Sequence, residues 1–385
     1  MLSHYNVQHS ARYVQELDYL PIIAVYESMN KTKTNHASIV SILRRPRLGF
    51  FLAGMAVIVT TGCHSAPAGA AEFVTAQPVL RQPGQALPVS YFREVWGYLV
   101  VGREFALDPS LPITDIAYFG ANVNIYGRLV GVPDFRNLAA FRGRTHLVAA
   151  CTGRALSYFV LREGSVERQN LIRDLLEASR PFDGLQINFE YVPPGARASY
   201  HSFLRELRQG LGDRMLTVAI VARTRTLAND VYDYATIAGI VDRILVMAYD
   251  EHWSTSAPGP IASMGWSYRV ARHSLDVIGP DSLIMGLPFY GRSWGHVNPS
   301  RAHIYDGIQE LIREHNVREI RRVYGIPTFT YEIPVTVTVY FEDEVSLATR
   351  LEMYKAMGVR SVGFWRLGQE TLAIWQYIRL EGESP

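Results

Sequence analysis

Short apolar runs recur at fairly even intervals from residue 95 onward, and most intervals between them show helical periodicity. The predicted strands are Val95–Val101, Ile113–Val123, Thr145–Cys151, Gly184–Phe189, Met215–Ala222, Arg243–Asp250, Leu283–Gly291 and Ser361–Leu367. The predicted helices are Val166–Ser179, Ala198–Gly210, Trp266–Ile278, Glu344–Met357 and Gln369–Ile378. Strands that alternate with helices indicate βαβ units with parallel pairing.

Eight such strands predict an α/β protein, a (β/α)₈ barrel. A doubly wound sheet is the alternative, which the lack of a Gly-rich dinucleotide fingerprint after the first strand disfavours. The interval from Gly291 to Ser361 is long and holds a helical run at Ile304–Glu314 and alternating segments at Thr328–Tyr331 and Val335–Phe341. We therefore expect an insertion after the seventh strand, as a small hairpin beside the barrel mouth.

The fourth predicted strand alternates between apolar and polar residues. Its apolar face consists of Leu185, Ile187 and Phe189. Its polar face consists of Gln186, Asn188 and Glu190. In a barrel, the apolar face packs on the helices, and the polar face points inward and climbs toward the C-terminal mouth, where barrel active sites lie. Because buried polar groups are costly unless they are hydrogen-bonded, this row predicts either an active site or a buried polar network.

The segment Asp183-Gly-Leu-Gln-Ile-Asn-Phe-Glu190 resembles the Asp-Gly-x-Asp-x-Asp-x-Glu signature of family 18 glycoside hydrolases, the chitinase-like barrels. Three further segments resemble family motifs. They are Met247-Ala-Tyr249-Asp250 on the sixth strand, Gly286-Leu-Pro-Phe-Tyr-Gly-Arg292 on the seventh and Phe364-Trp365 on the eighth. The segments Tyr340-Phe-Glu-Asp343 and Trp365-Arg-Leu-Gly368 resemble the peptidoglycan-lytic branch associated with spore germination. The resemblance extends from about Val95 to Ile378.

The resemblance implies retaining, substrate-assisted hydrolysis of β-1,4 links next to N-acetylglucosamine, with no cofactor and no metal ion. It implies that Glu190 is the general acid and then the base, that Tyr249 holds the acetamido oxygen, and that Asp250 supports the site. It also implies that Trp365 stacks beneath the sugar, for which plain barrel core is the alternative. Asp183, Gly184 and Met247 complete the matched motifs.

Two positions depart from the family pattern, because Gln186 and Asn188 stand where the family has Asp. In the family, the Asp at the position of Asn188, the one nearer the acid, holds the acetamide N–H and stabilises the oxazolinium intermediate. An Asn oxygen accepts the same hydrogen bond but supplies no negative charge, a loss worth on the order of 10²–10³ in rate. Two functions therefore stay open: a glycosidase acting on peptidoglycan rather than chitin, or a catalytically weak or inactive glycan-binding envelope lipoprotein.

Further substrate contacts are expected around the mouth, with loop packing as the alternative for each. They are Gln186 below the acid and, on the rim, Trp253, Tyr290, Arg292, Trp294 and Tyr331. Aromatic faces suit sugars, and a rim arginine suits a muramyl carboxylate. His252 has no second ligand at metal spacing, so no metal site is predicted.

The N-terminal part has the pattern of a targeting segment. The basic stretch Arg44–Arg47 precedes an apolar run, Leu48–Val59, that is shorter than the roughly 20 residues of a membrane span. The small residues ending at Cys63 resemble the lipobox of bacterial lipoproteins, with ordinary secretion as the alternative. Met29 begins a segment that has the features of a conventional signal-peptide N-terminus. We expect residues 1–28 to be a gene-model extension, 29–62 a signal peptide, 63–91 a flexible tether and 92–380 the barrel.

The chain has 385 residues, 38 Lys+Arg and 36 Asp+Glu, and a net charge of +2. The excess positive charge lies in residues 1–62, so the barrel is near neutral and gives no reason to expect nucleic-acid binding. Two Cys exclude a disulfide framework, and Cys151 is expected to be a small buried residue. The expected partners are a polysaccharide and, through lipid on Cys63, a membrane. The expected location is the bacterial cell envelope (outer membrane or periplasmic face), or secreted.

Overall fold

The structure, a computed structural model, describes residues 79–295, 301–333 and 335–383. Eight parallel strands form a barrel: β1 (Glu94–Val100), β2 (Asp115–Val123), β3 (Arg144–Cys151), β4 (Gly184–Phe189), β5 (Met215–Val221), β6 (Arg243–Met247), β7 (Leu283–Pro288) and β8 (Ser361–Trp365). Each strand pairs with the next, and β8 pairs with β1. The closed order confirms the (β/α)₈ barrel and excludes a doubly wound sheet.

Seven α-helices accompany the strands in the described residues: α1 (Arg154–Val160), α2 (Val166–Ala178), α3 (Arg197–Leu211), α4 (Tyr234–Ala238), α5 (Met264–Ile278), α6 (Tyr305–Glu314) and α7 (Glu344–Ala356). Side chains of Ser165, Ser263 and Asp343 cap α2, α5 and α7. The two helices that the sequence did not predict, α1 and α4, have seven and five residues. Such short helices show too few turns for a periodic pattern.

The predicted last helix, Gln369–Ile378, was wrong. The chain instead forms a 3₁₀ helix at Leu372–Tyr377, and then a short strand, Ile378–Leu380, that pairs in parallel with Ser90–Phe92. A 3₁₀ helix rises about 2.0 Å per residue rather than about 1.5 Å, so it covers more distance in the same number of residues. Strand pairing at Ile378 therefore overrides the helical pattern.

The barrel has two apolar layers separated by the strands. Outside, Leu185, Ile187 and Phe189 pack among the helices, as predicted; the Phe189 ring lies 5.5 Å from that of Phe203 on α3. Inside, a smaller cluster fills the barrel: Trp96, Tyr98, Ala117, Phe119, Val148, Ala150, Ala219, Leu245 and Ile284, with Met247 and Trp365 at its edge. The alternation along β4 therefore places Gln186 and Asn188 in the interior.

An ionic network closes the N-terminal end of the barrel interior. Glu94 accepts from Arg144 and from Arg243, each at 3.0 Å, and Asp115 accepts from Arg144 and His146, each at 2.8 Å. Burial alone would raise the pKa of both carboxyl groups, but these hydrogen bonds and positive charges lower it. Both carboxylates are therefore ionised and fully engaged with partners.

The insertion after β7 is larger than the predicted hairpin. Its five strands, Gly291–Gly295, Arg301–His303, Arg321–Val323, Ile326–Ile333 and Val335–Tyr340, form one antiparallel sheet. Helix α6 contributes Ile308 to a core that also contains Phe329, Val339 and Phe341. The predicted position and hairpin were correct, whereas the predicted size was wrong. The strand Gly291–Gly295 follows β7 almost directly, whereas the sequence pattern ended the seventh strand at Gly291 and predicted no separate strand there.

Cys63 and the predicted segments 1–28 and 29–62 lie outside the described residues, as does the predicted tether up to residue 78. From Arg81 onward the chain contacts the barrel, since Arg81 forms an ion pair with Glu352 on α7 at 2.8 Å. No helix in the part of the chain that the structure describes is long and apolar enough to cross a membrane.

Candidate active site

The polar row of β4 lies in the upper half of the barrel interior. Fully buried Gln186 accepts a hydrogen bond from the Tyr98 hydroxyl and donates to Thr217 Oγ1 at 3.1 Å, so both ends of its amide are occupied. Asn188 donates to Glu190 Oε1 at 3.4 Å. Its Oδ1 is buried and has no partner among the described residues. An unpaired buried acceptor costs about 1–3 kcal/mol, which suits an oxygen that receives a donor from a ligand.

Glu190 stands one residue beyond β4. Its backbone N–H donates to Cys151 O at 2.8 Å, which fixes the start of the loop to the end of β3. Burial raises the pKa of Glu190; the hydrogen bond from Asn188 opposes the rise, and the negative charge of Asp250 adds to it. A carboxyl group with a raised pKa holds its proton to a higher pH than a free carboxyl group does, which suits it to general acid catalysis.

Cys151, at the end of β3, is buried as predicted. Burial raises the pKa of its thiol to about 12, so the thiolate needed for nucleophilic chemistry is not formed near neutral pH. This side chain belongs to the outer apolar layer rather than to the site.

Two side chains project from the end of β6. Asp250 has a left-handed backbone, with φ of 55°, and its Oδ1 accepts from Tyr290 Oη at 2.5 Å and from Arg292 Nη2 at 2.8 Å. The Tyr249 ring lies edge-on to that of Tyr290, with centroids 6.4 Å apart. Burial raises the pKa of Tyr249 well above its usual value, so its hydroxyl remains a neutral donor.

Arg292 does not lie on the rim, in contrast to the expected position. Its side chain is only 8% exposed and forms an ion pair with Asp250, and its Nε is buried without a partner among the described residues. The strand Gly291–Gly295 turns this side chain inward, behind Asp250. The guanidinium therefore balances the Asp250 charge and is not presented to an anion in solution.

Trp365 ends β8 at the top of the interior cluster. Its ring centroid lies 5.3 Å from that of Tyr98 and 5.2 Å from that of Phe119, and the residue stays partly exposed. The peptide bond to Arg366 is cis. Met247, at the end of β6, packs against the same cluster. Trp365 thus forms a floor below the mouth, and its role as a sugar platform remains a prediction.

The remaining aromatic candidates differ in exposure. Trp253, in the loop after β6, is 41% exposed. Trp294 is buried and donates from Nε1 to Trp253 O at 3.2 Å, so it supports this loop from below. Tyr331 stacks on His315 with centroids 4.0 Å apart, within the insertion. Of the three, Trp253 is the best placed to contact substrate, and the predicted contacts of the other two stay predictions.

The comparison with known families decides the assignment. Residues 144–370, more than half of the chain, match the family described as Glycosyl hydrolases family 18. The chain belongs to this family. Its matched region begins at β3 and ends just after β8, so it includes β4, β6, β7 and every candidate site residue on the barrel.

Family-18 relatives share sequence with much of the chain. The uncharacterized glycosylase YvbX of Bacillus subtilis is 29% identical over 215 residues, which are 53% of this chain and 62% of YvbX. The chain thus spans less than two thirds of that relative. The cortical fragment-lytic enzyme of Bacillus anthracis is 25% identical over 305 residues, which are 72% of this chain and 70% of that enzyme.

Solved structures show the same fold. The spore cortex-lytic enzyme SleL of Bacillus cereus superposes with a TM-score of 0.68 at 22% identity, over 77% of this chain and 76% of that chain. The family-18 chitinase of Cycas revoluta, solved with (GlcNAc)₃, gives a TM-score of 0.61 at 20% identity, over 73% and 97%. At these identities the likeness supports the barrel fold alone.

The first half of the family-18 signature lies at the opposite end of β4 from the acid. Asp183 accepts from the backbone N–H and the hydroxyl of Thr145 at 2.8 and 3.0 Å. A Cβ on Gly184 would lie 2.4 Å from His146 Nδ1, so a side chain there has no room. Asp183 and Gly184 therefore assemble the barrel, whereas the second half of the signature forms the site.

Sequence reasoning missed two tyrosines in this family-18 site. Tyr98 on β1 bonds to Gln186 from 88 residues away, and burial raises its pKa far above the usual range. Tyr191 follows the acid with a left-handed φ of 60°, and burial and the charges of Glu190 and Asp250 raise its pKa to about 12. Period-2 alternation with Trp96 was the available signal for Tyr98, and adjacency to the acid was the signal for Tyr191.

No group of three or more His, Cys, Asp and Glu side chains that could hold a metal ion occurs within residues 79–295, 301–333 and 335–383. His252 instead bonds through Nδ1 to Pro260 O at 2.9 Å, inside its own loop.

Proposed function

We propose that the protein hydrolyses β-1,4 links of an N-acetylglucosamine-containing glycan, with retention and with assistance from the substrate. The observation that carries this proposal is the pairing of a carboxyl group whose pKa is raised by burial, Glu190, with the unpartnered oxygen of Asn188 at the mouth of the barrel. One group is suited to give a proton, and the other is suited to receive an N–H from the substrate.

In the first step, Glu190 gives its proton to the glycosidic oxygen while the bond from that oxygen to C1 breaks. The carbonyl oxygen of the substrate's own 2-acetamido group attacks C1 and forms an oxazolinium ion, so no carboxylate nucleophile is needed. Tyr249 donates a hydrogen bond to the acetamido oxygen, and Asn188 Oδ1 accepts the acetamido N–H. Both contacts orient the group for attack.

In the second step, the Glu190 carboxylate takes a proton from water as that water attacks C1. The oxazolinium ring opens, the acetamido group is restored and the configuration at C1 is retained. The charge of Asp250 is already balanced by Arg292 at 2.8 Å, and its Oδ1 also accepts from Tyr290. The positive intermediate thus meets little free negative charge, so we expect slower turnover than a site with two carboxylates on β4 would give.

Peptidoglycan is the favoured substrate over chitin. Relatives named for lysis of the spore cortex, including the cortical fragment-lytic enzyme, support a cell-wall glycan. The signal-like segment ending at Cys63 supports a bacterial envelope location, lipid-anchored or secreted, and this part of the proposal rests on the sequence alone.

Release of reducing ends from purified peptidoglycan and from N-acetylglucosamine oligomers tests the proposal. Wild type is expected to release them and Glu190→Gln is not. The matched control is Glu177→Gln on α2, which makes the same chemical change at a side chain that is 69% exposed. Release by Glu190→Gln at the wild-type rate would refute the assigned acid.

The second candidate function is binding of the glycan without cleavage. The observation that favours it is the neutral row of β4, in which Gln186 and Asn188 replace two carboxylates. Equal binding by wild type and Glu190→Gln, with release of reducing ends by neither, would select this function.

A further inference from the structure

The loop after β6 is a closed unit that carries part of the candidate site. It begins at Asp250 and exposes Trp253. Its two ends are joined where Glu251 N donates to Ile261 O at 2.9 Å and Ser263 N donates to Glu251 Oε2 at 2.7 Å. Ile261 is fully buried and belongs to the same cluster as Tyr290, the hydrogen-bond donor to Asp250. We call the joined ends of the loop, residue 251 and residues 261–263, its stem. The stem therefore sets the position of Asp250.

A buried ion pair lies against this stem. Arg350 in the middle of α7 bonds to Glu342 Oε1 at 2.9 Å, and both side chains are fully buried. The same nitrogen, Nη2, donates to Ala262 O in the stem at 2.6 Å. Glu342 follows the last strand of the insertion, and its second oxygen accepts from Ser346 Oγ at 2.6 Å. One guanidinium thus joins the insertion, α7 and the β6 loop.

Stability alone does not account for this pair. Replacement of a buried ion pair by apolar residues of similar volume is often neutral or stabilising, because desolvation of the charges offsets their attraction. Here Arg350 also keeps Nε and Nη1 buried without a partner among the described residues, which adds to the cost. Apolar side chains would not replace the directional hydrogen bond that Arg350 donates to Ala262 O.

We propose that Arg350, held in place by Glu342, is a positioning residue that fixes the β6 loop and thereby sets Asp250 and Trp253 for the glycan. Neither Arg350 nor Glu342 touches the cleft residues directly; they act through the stem of the loop. The catalytic consequence rests on the proposed function, whereas the fixation of the loop is a property of the fold and is tested independently of turnover.

Three variants test the positioning role. Arg350→Met removes the bond to Ala262 O but leaves Glu342 buried and alone. The double variant Glu342→Leu/Arg350→Met removes both charges. It therefore leaves no unpaired buried charge and is used if the single variant does not fold. The control is Arg168→Met on α2, another buried arginine, whose guanidinium bonds to Leu161 O and Ser199 O away from the β6 loop.

The first measurement is amide hydrogen exchange of a peptide covering residues 251–263. We expect exchange to rise about tenfold in the double variant, the effect of losing a hydrogen bond to a charged group, and to stay at the wild-type rate in Arg168→Met. Wild-type exchange in the folded double variant would overturn the proposal, whatever the activity of the protein.

The second measurement is kcat and KM of each variant for release of reducing ends. Affinity for N-acetylglucosamine oligomers is measured separately, with each variant combined with Glu190→Gln so that the oligomer is not cleaved. We expect kcat to fall and KM to rise, so that kcat/KM drops about tenfold or more in the double variant while its Tm stays near that of wild type. A loosened loop with unchanged kcat/KM and affinity would overturn the proposal. If wild type releases nothing, the proposed function fails, and exchange together with affinity still decides the role of Arg350.

Discussion

The two ends of the barrel interior both bury carboxyl groups but give them different partners. At the N-terminal end, Glu94 and Asp115 each contact arginine within 3.0 Å, and the pKa of both is lowered. At the C-terminal end, Glu190 contacts one amide at 3.4 Å, and its pKa is raised. The first end satisfies its charges within the protein, whereas the second end leaves a carboxyl group of raised pKa and an amide oxygen available to a ligand.

Structural and catalytic carboxylates in this barrel differ in their hydrogen-bond partners. The carboxyl groups at both ends are largely buried, and each lies on or next to a strand that the sequence predicts, so burial and position along the chain do not distinguish them. The partner does distinguish them. A guanidinium favours the ionised form, whereas burial near the negative charge of Asp250, opposed by only one amide, favours the protonated form.

The largest expected effect comes from replacing one glutamate at each end. Glu190→Gln should lower kcat by at least about 10²–10⁴, because the amide has no proton to give. Glu94→Gln should lower the free energy of unfolding by about 1–3 kcal/mol, because charge-assisted bonds to Arg144 and Arg243 are lost. Reducing-end assays and denaturant unfolding of both variants measure the two effects. Loss of turnover in folded Glu94→Gln would contradict the purely structural role of Glu94.

Asn188→Asp adds a second carboxylate at the C-terminal end of the barrel interior, beside Glu190. We expect activity to rise by up to about 10²–10³, since the new charge stabilises the oxazolinium ion. The like charge should raise the pKa of Glu190 further, so the basic limb of the pH profile moves to higher pH, while ionisation of the new Asp sets the acidic limb. Asn170→Asp, at a partly exposed site on α2 outside the cleft, is the matched control. Unchanged kinetics would remove Asn188 from the mechanism.

Trp253→Ala tests whether the open end also binds the glycan through its exposed ring. We expect KM to rise about 2- to 10-fold with little change in kcat, the effect of losing one stacking contact. Tyr324→Ala, in a turn of the insertion and 70% exposed, provides a control of similar size. A drop in kcat without a change in KM would argue that Trp253 positions the loop rather than the sugar.

The smallest expected effect is on the pH dependence of stability. The lowered pKa of Glu94 and Asp115 contributes stability above their unfolded values of about 4.3 and 3.9, and this stability is lost as the pH falls through the folded values. The raised pKa of Glu190 has the opposite sign, since its stabilising share is lost as the pH rises through the folded value. Thermal unfolding of wild type, Glu94→Gln and Glu190→Gln from pH 3 to 7 measures both. Relative to wild type, Glu190→Gln should gain Tm toward neutral pH, and Glu94→Gln should lose it.

The sequence predicted the parts of the molecule that local patterns encode. Period-2 alternation gave the two faces of β4 and hence Glu190 and Asn188 in the interior. The contact of Tyr98 with Gln186, across 88 residues, depends on closure of the barrel and leaves no local pattern. Likewise, the burial of Arg292 depends on the strand Gly291–Gly295 turning inward, which a linear pattern does not encode.

Boundaries failed where tertiary pairing replaced local preference. The segment after β8 has a helical pattern, but pairing of Ile378 with Ser90 draws it into a 3₁₀ turn and a strand. The insertion was underestimated for a similar reason, because its first strand continues from β7 without a turn signal between them. In both places the outcome depended on a partner strand distant in sequence.

The close approach of His146 to Gly184, which leaves no room for a Cβ, bears on how signature motifs are used. A substitution at Gly184 would disturb the assembly of the barrel without altering any reacting group, whereas a substitution at Glu190 would do the reverse. A motif score that weights both positions equally therefore combines a requirement of folding with a requirement of catalysis. Scoring positions 183–184 and 186–190 separately would sort barrels of this family into intact scaffolds and intact catalysts.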